Sequence, residues 1–257
     1  MHYLLLAEHQ ARVRWVDVPG VRPARVYVHG LGSAAVDFFS LAAHPLLAGH
    51  RTILVDLLGF GFSDRPESFG YTVDDHAEVV ERVLDELHLS DCEVVAHSMG
   101  GAVTVALARK RPDLVSRLVL AEPCLTGGGK LSGRIATLSE HDYVRRGHAM
   151  IAARLGNSRN VTDLEALPAF QAASPLAVHR SAVGLVRGTR EDLRHVLQEL
   201  PLPRAYLVGE HSLPDLAAET LRASGVAVLI VRGAGHMMMH DAPQTFAESV
   251  HRAISSA

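Results

Sequence analysis

The stretch Val94-Val95-Ala96-His97-Ser98-Met99-Gly100-Gly101 decides how this chain is read. Apolar residues lead straight into a serine, and two glycines follow within three positions. The pattern is a short buried strand, Glu93 to His97, that turns at once into a helix from about Met99 to Lys110, which Pro112 closes. A serine on so sharp a turn is lifted above the sheet, and only small neighbours fit around it. Gly100 and Gly101 meet that need. The full signature of such an elbow is Gly-x-Ser-x-Gly, and Ala96 replaces its first glycine with one extra methyl. The helix N-terminus beneath Ser98 favours developing negative charge, and the Met99 amide begins that helix. A serine that merely caps a buried helix gives the same local pattern, so the rest of the chain has to decide.

On either side of this stretch, short apolar runs alternate with amphipathic ones, the pattern of a parallel sheet covered by helices. Ala24–Val28, Thr52–Asp56, Arg117–Ala121, Arg204–Val208 and Val226–Val231 read as further strands. Thr72 to His88 reads as a helix, started by a Thr72/Asp75 capping pair and carrying Val79, Val80, Val83, Leu84 and Leu87 at helical spacing. Pro243 to Ile254 reads as a last helix, and about Leu4 to Val18 as an antiparallel hairpin at one edge. The segment from about 125 to 202 breaks the rhythm. It has no convincing strand, shows helical stretches near Ser139–Leu155 and Pro175–Leu200, and holds ten Lys and Arg against seven Asp and Glu.

Bulk properties narrow the class. The 257 residues are 48% hydrophobic, enough for a sizeable core. A net charge of -3 provides no field that would draw nucleic acid or an anionic membrane. Two cysteines, Cys92 and Cys124, do not indicate a disulfide framework. No run approaches the roughly 18 apolar residues of a membrane span, and the first ten residues read as a strand rather than a signal peptide. A cytoplasmic location is the expectation. No metal-ligand spacing, phosphate loop or dinucleotide fingerprint occurs, so no cofactor or metal is expected.

Four motifs together resemble the α/β-hydrolase superfamily: His29-Gly30-Leu31-Gly32; Asp56-x-x-Gly59-x-Gly61-x-Ser63-x-x-Pro66; His97-Ser98-Met99-Gly100-Gly101; and Gly233-Ala234-Gly235-His236. The resemblance implies a single domain over 1–257 with an eight-stranded, mostly parallel sheet flanked by helices. It implies a helical cap, about 125–202, inserted after the sixth strand, and a site at the strand ends. In this fold the loop after the His29 strand supplies the second oxyanion amide, which points to Leu31 beside Met99. The Asp56 motif reads as a structural turn.

The base is expected at His236, in a glycine-flanked loop after the last strand, where an imidazole reaches Ser98; His240 is its nearest competitor among sixteen histidines. The acid has two candidates. Most of the family carries an Asp shortly after the strand at Arg204–Val208, but here Ser212 stands there. Asp215, three residues on, reads with Ser212 as a helix-capping pair. Glu122, which ends the strand before, is preferred, because a minority of the superfamily, including haloalkane dehalogenases, carries its acid there. A carboxylate leaving an apolar run needs a partner, and a ring N–H of His236 would be one.

The expected function is hydrolysis of an ester, thioester, lactone or related acyl bond of a small molecule through an acyl-Ser98 intermediate. Two alternatives stay open: an acyltransferase or cyclase, in which an acceptor other than water resolves that intermediate, and a receptor-like binding protein with a vestigial site. The sequence does not give the oligomeric state.

Overall fold

The computed structural model describes residues 1–255. Eight strands form one sheet: β1 (His2–Leu6), β2 (Ala11–Val18), β3 (Val21–Val28), β4 (His50–Asp56), β5 (Cys92–His97), β6 (Val115–Ala121), β7 (Arg204–Gly209) and β8 (Ala227–Val231). Their order is β1-β2-β4-β3-β5-β6-β7-β8. β1 and β2 form the expected edge hairpin, β2 pairs antiparallel with β4, and every other pair is parallel. Among the described residues nine helices of a full turn and a half or more accompany the sheet: α1 (Val73–Glu86), α2 (Met99–Lys110), α3 (Lys130–Ala136), α4 (His148–Gly156), α5 (Val161–Ala172), α6 (Pro175–Arg187), α7 (Leu193–Glu199), α8 (Leu216–Ala223) and α9 (Pro243–Ser255).

The near-continuous apolar strands are explained by burial on both faces. Val26, Val28, Val94, Ala96, Leu118 and Leu120 join one core with Val79, Val80 and Val83 of α1 and Val103 and Leu107 of α2. The intervening Tyr27, Val95, Val119 and Ala121 join a second core with Phe246 and Val250 of α9. Alternate side chains of one strand therefore serve opposite layers, each fully buried valine or leucine contributing roughly 1.5–3 kcal/mol. α1 begins where the capping pair places it: Asp75 N–H donates to Thr72 Oγ1 at 3.1 Å and Thr72 N–H to Asp75 Oδ2 at 3.0 Å.

Between β6 and β7 lie only helices, α3 to α7, and there the sequence-based outline is incomplete. The stretch expected at Ser139–Leu155 is a short turn, a wide turn over Tyr143–Gly147 and then α4. The stretch expected at Pro175–Leu200 is two helices, parted at Gly188, whose φ of 75° ends α6. α3 and α5 were not anticipated; α3 follows a glycine triplet and α5 contains Pro168, both of which read as breaks. Among the described residues no helix is long and apolar enough to cross a membrane.

The Asp56 motif is a built turn. Its carboxylate accepts from the amides of Ala35 (2.8 Å) and Phe62 (2.9 Å). Gly61 has a φ of 50°, and a Cβ there would fall 2.2 Å from that carboxylate. Ser63 Oγ donates to the Asp56 carbonyl at 2.6 Å and accepts from Arg14 N–H of β2 at 2.8 Å. The motif thereby fixes the loop after β3 relative to β4.

Candidate active site

Ser98 joins β5 to α2 with φ 52° and ψ −116°, a conformation that costs a non-glycine residue energy and that its surroundings must enforce. Those surroundings are tight. A Cβ at Gly100 would lie 2.3 Å from the Val28 carbonyl oxygen, and one at Gly101 would lie 2.4 Å from Pro123 Cβ. Ala96 is tolerated in place of the signature glycine because its methyl points into the core, in register with Val28 and Leu120. The Ser98 N–H donates to the Ala121 carbonyl at 2.9 Å, and its carbonyl accepts from Cys124 N–H at 3.0 Å, so the elbow is laced to the end of β6.

His236 reaches this serine from the loop after β8. Its Nε2 lies 3.1 Å from Ser98 Oγ and its Nδ1 lies 2.7 Å from Glu122 Oε2. A carboxylate only accepts, so Nδ1 carries the proton and Nε2 is left to accept the serine hydroxyl's proton. Glu122 sits at the end of β6 with a φ of 40°. Burial alone would raise its carboxyl, but the hydrogen bond and charge of His236, the Gly209 amide (2.9 Å to Oε1) and the Ser212 hydroxyl together hold it below the ordinary carboxylate value. The alternative acid, Asp215, is not brought to His236. Its Oδ1 caps α8 through the amides of Ala217 (2.7 Å) and Ala218 (3.1 Å), and its Oδ2 accepts from Tyr206 Oη at 2.7 Å. The expected Ser212/Asp215 capping pair is corrected: Asp215 is itself the N-cap, while Ser212 supports Glu122.

The loop after β3 runs directly past the serine. A Cβ at Gly30 would meet His97 Nδ1 at 2.9 Å and Ser98 Cβ at 3.1 Å, which places Leu31 next to the elbow. Among the described residues neither the Leu31 nor the Met99 amide donates to a backbone carbonyl. His29, wholly buried, donates from Nδ1 to the Gly30 carbonyl (2.9 Å) and accepts at Nε2 from Leu57 N–H (3.1 Å), which locks this loop to the turn after β4. Burial holds its pKa below the ordinary histidine value.

Further residues around the site make contacts that the motifs do not announce. His97 is buried under His236, ring centroids 4.7 Å apart, and its Nε2–H donates to the His236 carbonyl at 2.8 Å. Burial, helped by the neighbouring His236, pushes His97 down to about 3, so it is neutral. Asp241 Oδ2 accepts from Gly235 N–H at 2.8 Å and its Oδ1 from Thr162 Oγ1 of α5 at 2.5 Å. His240 does not approach Ser98's base position; its Nδ1 lies 3.2 Å from Glu165 of α5 and its Nε2 lies 3.6 Å from Asp37. Asp37 in turn accepts from the Ser33 hydroxyl. The links from His97 to His236, from Thr162 to Asp241 and from His240 to Glu165 and Asp37 join segments far apart in sequence, so spacing alone does not show them. Cys124 has its sulfur 3.5 Å from Ser98 Oγ, and burial holds its thiol above the ordinary value.

A family model described as alpha/beta hydrolase fold matches residues 24–159. The chain belongs to that family. A Mycobacterium tuberculosis protein whose name marks it as a hydrolase, LipZ, is 28% identical over 90% of this chain and 88% of its own. Among solved structures, an esterase from Exiguobacterium antarcticum superposes with a TM-score of 0.83 at 21% identity, over 99% of both chains. The enol-lactonase from Burkholderia xenovorans LB400 does so with 0.81 at 18% identity, over 99% of this chain and 100% of that one. At such identities the two structures establish the shared fold. The chain is a hydrolase of this family.

Proposed function

We propose that this hydrolase cleaves a carboxylic ester, thioester or lactone bond of a small molecule through an acyl intermediate on Ser98. The observation that carries the reading is the continuous chain from Ser98 Oγ through His236 to Glu122, at 3.1 and 2.7 Å. His236 Nε2 takes the hydroxyl proton as Oγ attacks the substrate carbonyl carbon, and the amides of Leu31 and Met99 receive the resulting oxyanion. Collapse breaks the bond to the leaving oxygen or sulfur, which takes the proton from Nε2. Water then attacks the acyl-Ser98 carbonyl, gives its proton to Nε2, and the acid departs as Ser98 is restored. Glu122 fixes the tautomer and stabilises the transient imidazolium.

The helices between β6 and β7 act in this reading as a cap. Phe170 of α5 lies over the oxyanion loop, so close that a Cβ on Gly32 would meet its ring at 2.6 Å. The names of the structural neighbours supply the substrate classes to try first, simple esters and lactones. Incubation with a fluorophosphonate, followed by intact mass, tests the mechanism. One phosphonyl adduct on the wild type and none on Ser98→Ala is the expected result. A wild type that is neither labelled nor able to turn over p-nitrophenyl acetate would overturn the reading.

A further inference from the structure

Strand alternation decides where the residue before the nucleophile points. Val95 of β5 enters the core on the α9 side, so His97, two positions on, faces the same way. That is the side over which the segment between β8 and α9 returns with the base. His97 is only 2% exposed and lies between two loops of the site. One edge of its ring faces the loop after β3: a Cβ on Gly30 would fall 2.9 Å from Nδ1 and 3.4 Å from Cε1. The other edge faces the base loop, with Nε2 2.8 Å from the His236 carbonyl oxygen. The two imidazoles are tilted by 49° with centroids 4.7 Å apart. One side chain thus touches both the oxyanion loop and the loop of the base.

A carbonyl only accepts, so Nε2 of His97 carries the proton. Nδ1 is left bare, and it is buried without a hydrogen-bond partner among the described residues. Packing alone does not call for such an atom, because an apolar side chain of similar size would leave no buried acceptor unpaired. The imidazole is explained instead by what its two edges hold. Its charge state agrees. Burial, and after it the neighbouring His236, push His97 down to about 3, so the ring stays neutral beside a base that becomes a cation in each turnover. A second cation there would oppose it. Glu122 and His240 are the other groups whose charge reaches His97.

We propose that His97 is a positioning residue: its neutral Nε2–H form holds the His236 carbonyl and spaces the base loop from the oxyanion loop, which sets the aim of His236 at Ser98. The proposal rests on the reading of Ser98 and His236 as nucleophile and base. His97 touches no reacting atom. It acts through the main chain of His236, whereas Glu122 acts through the ring.

Two measurements test it. A long-range 1H–15N spectrum of the wild type at pH 6, with the His97 signals identified by their loss in His97→Gln, should show Nε2 protonated and Nδ1 bare. A ring protonated at Nδ1, or at both nitrogens, overturns the proposal whatever the activity, and this decides even if a bulkier change does not fold. The second measurement is turnover of p-nitrophenyl acetate. His97→Leu fills the space without a donor and should lower kcat about tenfold to a hundredfold, the scale of a 1 Å misplacement, with KM changed less than about twofold. His97→Gln places an amide donor within reach of the same carbonyl and should regain most of that loss. The rate of fluorophosphonate labelling at Ser98 should fall in His97→Leu by the same factor as kcat. Wild-type kcat in His97→Leu, or a His97→Gln as slow as His97→Leu, overturns the positioning role and leaves the Ser98 mechanism standing. A wild type that is neither labelled nor active overturns both.

Discussion

Thr162 donates a 2.5 Å hydrogen bond to Asp241 across 79 residues of sequence. The other oxygen of that carboxylate holds the Gly235 amide, immediately before His236. One side chain thereby sets the position of the insertion helix α5 and of the loop that carries the base. Asp241→Asn removes the charge, and its amide group presents a donor to one of two donors. Turnover of p-nitrophenyl acetate should fall about tenfold to a hundredfold, the scale of a sub-ångström to 1 Å misplacement of a reacting group. Thr162→Val breaks only the link to α5 and should cost roughly 1–3 kcal/mol in urea unfolding, because the partner is charged. Full kcat in Asp241→Asn would show that the loop holds its base without this anchor.

Glu122 and Asp215 separate cleanly by substitution. Glu122→Gln keeps the shape but replaces an acceptor with an amide, and the favoured tautomer of His236 is lost. The expected fall in kcat is about a hundredfold to ten-thousandfold. Asp215→Asn retains an N-cap acceptor for α8 and should change turnover little, with at most about 1 kcal/mol lost in unfolding. Steady-state kinetics on both variants settle the ranking, and the reverse order would remove Glu122 from the mechanism.

What the sequence discloses here follows from how local the signals are. The elbow at Ser98, the glycine loops at His29 and Gly235 and the strand that ends in Glu122 are each a few consecutive residues, and the fold's parallel sheet gathers their ends on one rim. The insertion is less legible. α5 holds Pro168 in its interior and its buried residues, Ala169 and Phe170, crowd its last turns, so no amphipathic period announces it. The anchoring contacts are less legible still. Asp37, Glu165, His240 and Asp241 become neighbours only once three separated segments are packed, and nothing in the composition of any one segment requires the others.

Gly32 tests how closely the insertion rides on the oxyanion loop. Its φ of 73° disfavours any side chain, and an added Cβ would lie 2.6 Å from Phe170 Cδ2. Gly32→Ala should therefore combine a backbone cost of about 1–2 kcal/mol with a steric one of about 1–3 kcal/mol, and should lower kcat by displacing the Leu31 amide. Phe170→Leu in the same chain relieves the steric part alone. A double-mutant cycle on unfolding free energy and on kcat should show positive coupling with incomplete recovery. Strict additivity would show that Phe170 yields freely and does not position the loop.

The buried imidazoles make stability fall with acid in a defined window. His76 and His97 are held at about 3, chiefly by burial, against an ordinary value of 6.5, and burial lowers His29 as well. Below 6.5 the unfolded chain binds protons at these positions and the folded chain does not. Stability is therefore greatest above 6.5 and declines as pH drops toward 3, by up to about 1.4 kcal/mol per pH unit for each histidine. Carboxylates such as Glu122 pull the same way at lower pH, so the comparison needs a variant. His76 Nε2 lies 3.1 Å from the Ser181 hydroxyl. His76→Gln can keep that bond while it removes one titrating group. Urea unfolding of both proteins between pH 7 and 4 should give the variant a slope shallower by up to about 1.4 kcal/mol per unit. Equal slopes would mean that His76 takes up its proton in the folded protein, and that its burial among Phe60, Phe69 and Tyr71 is looser than the packing here implies.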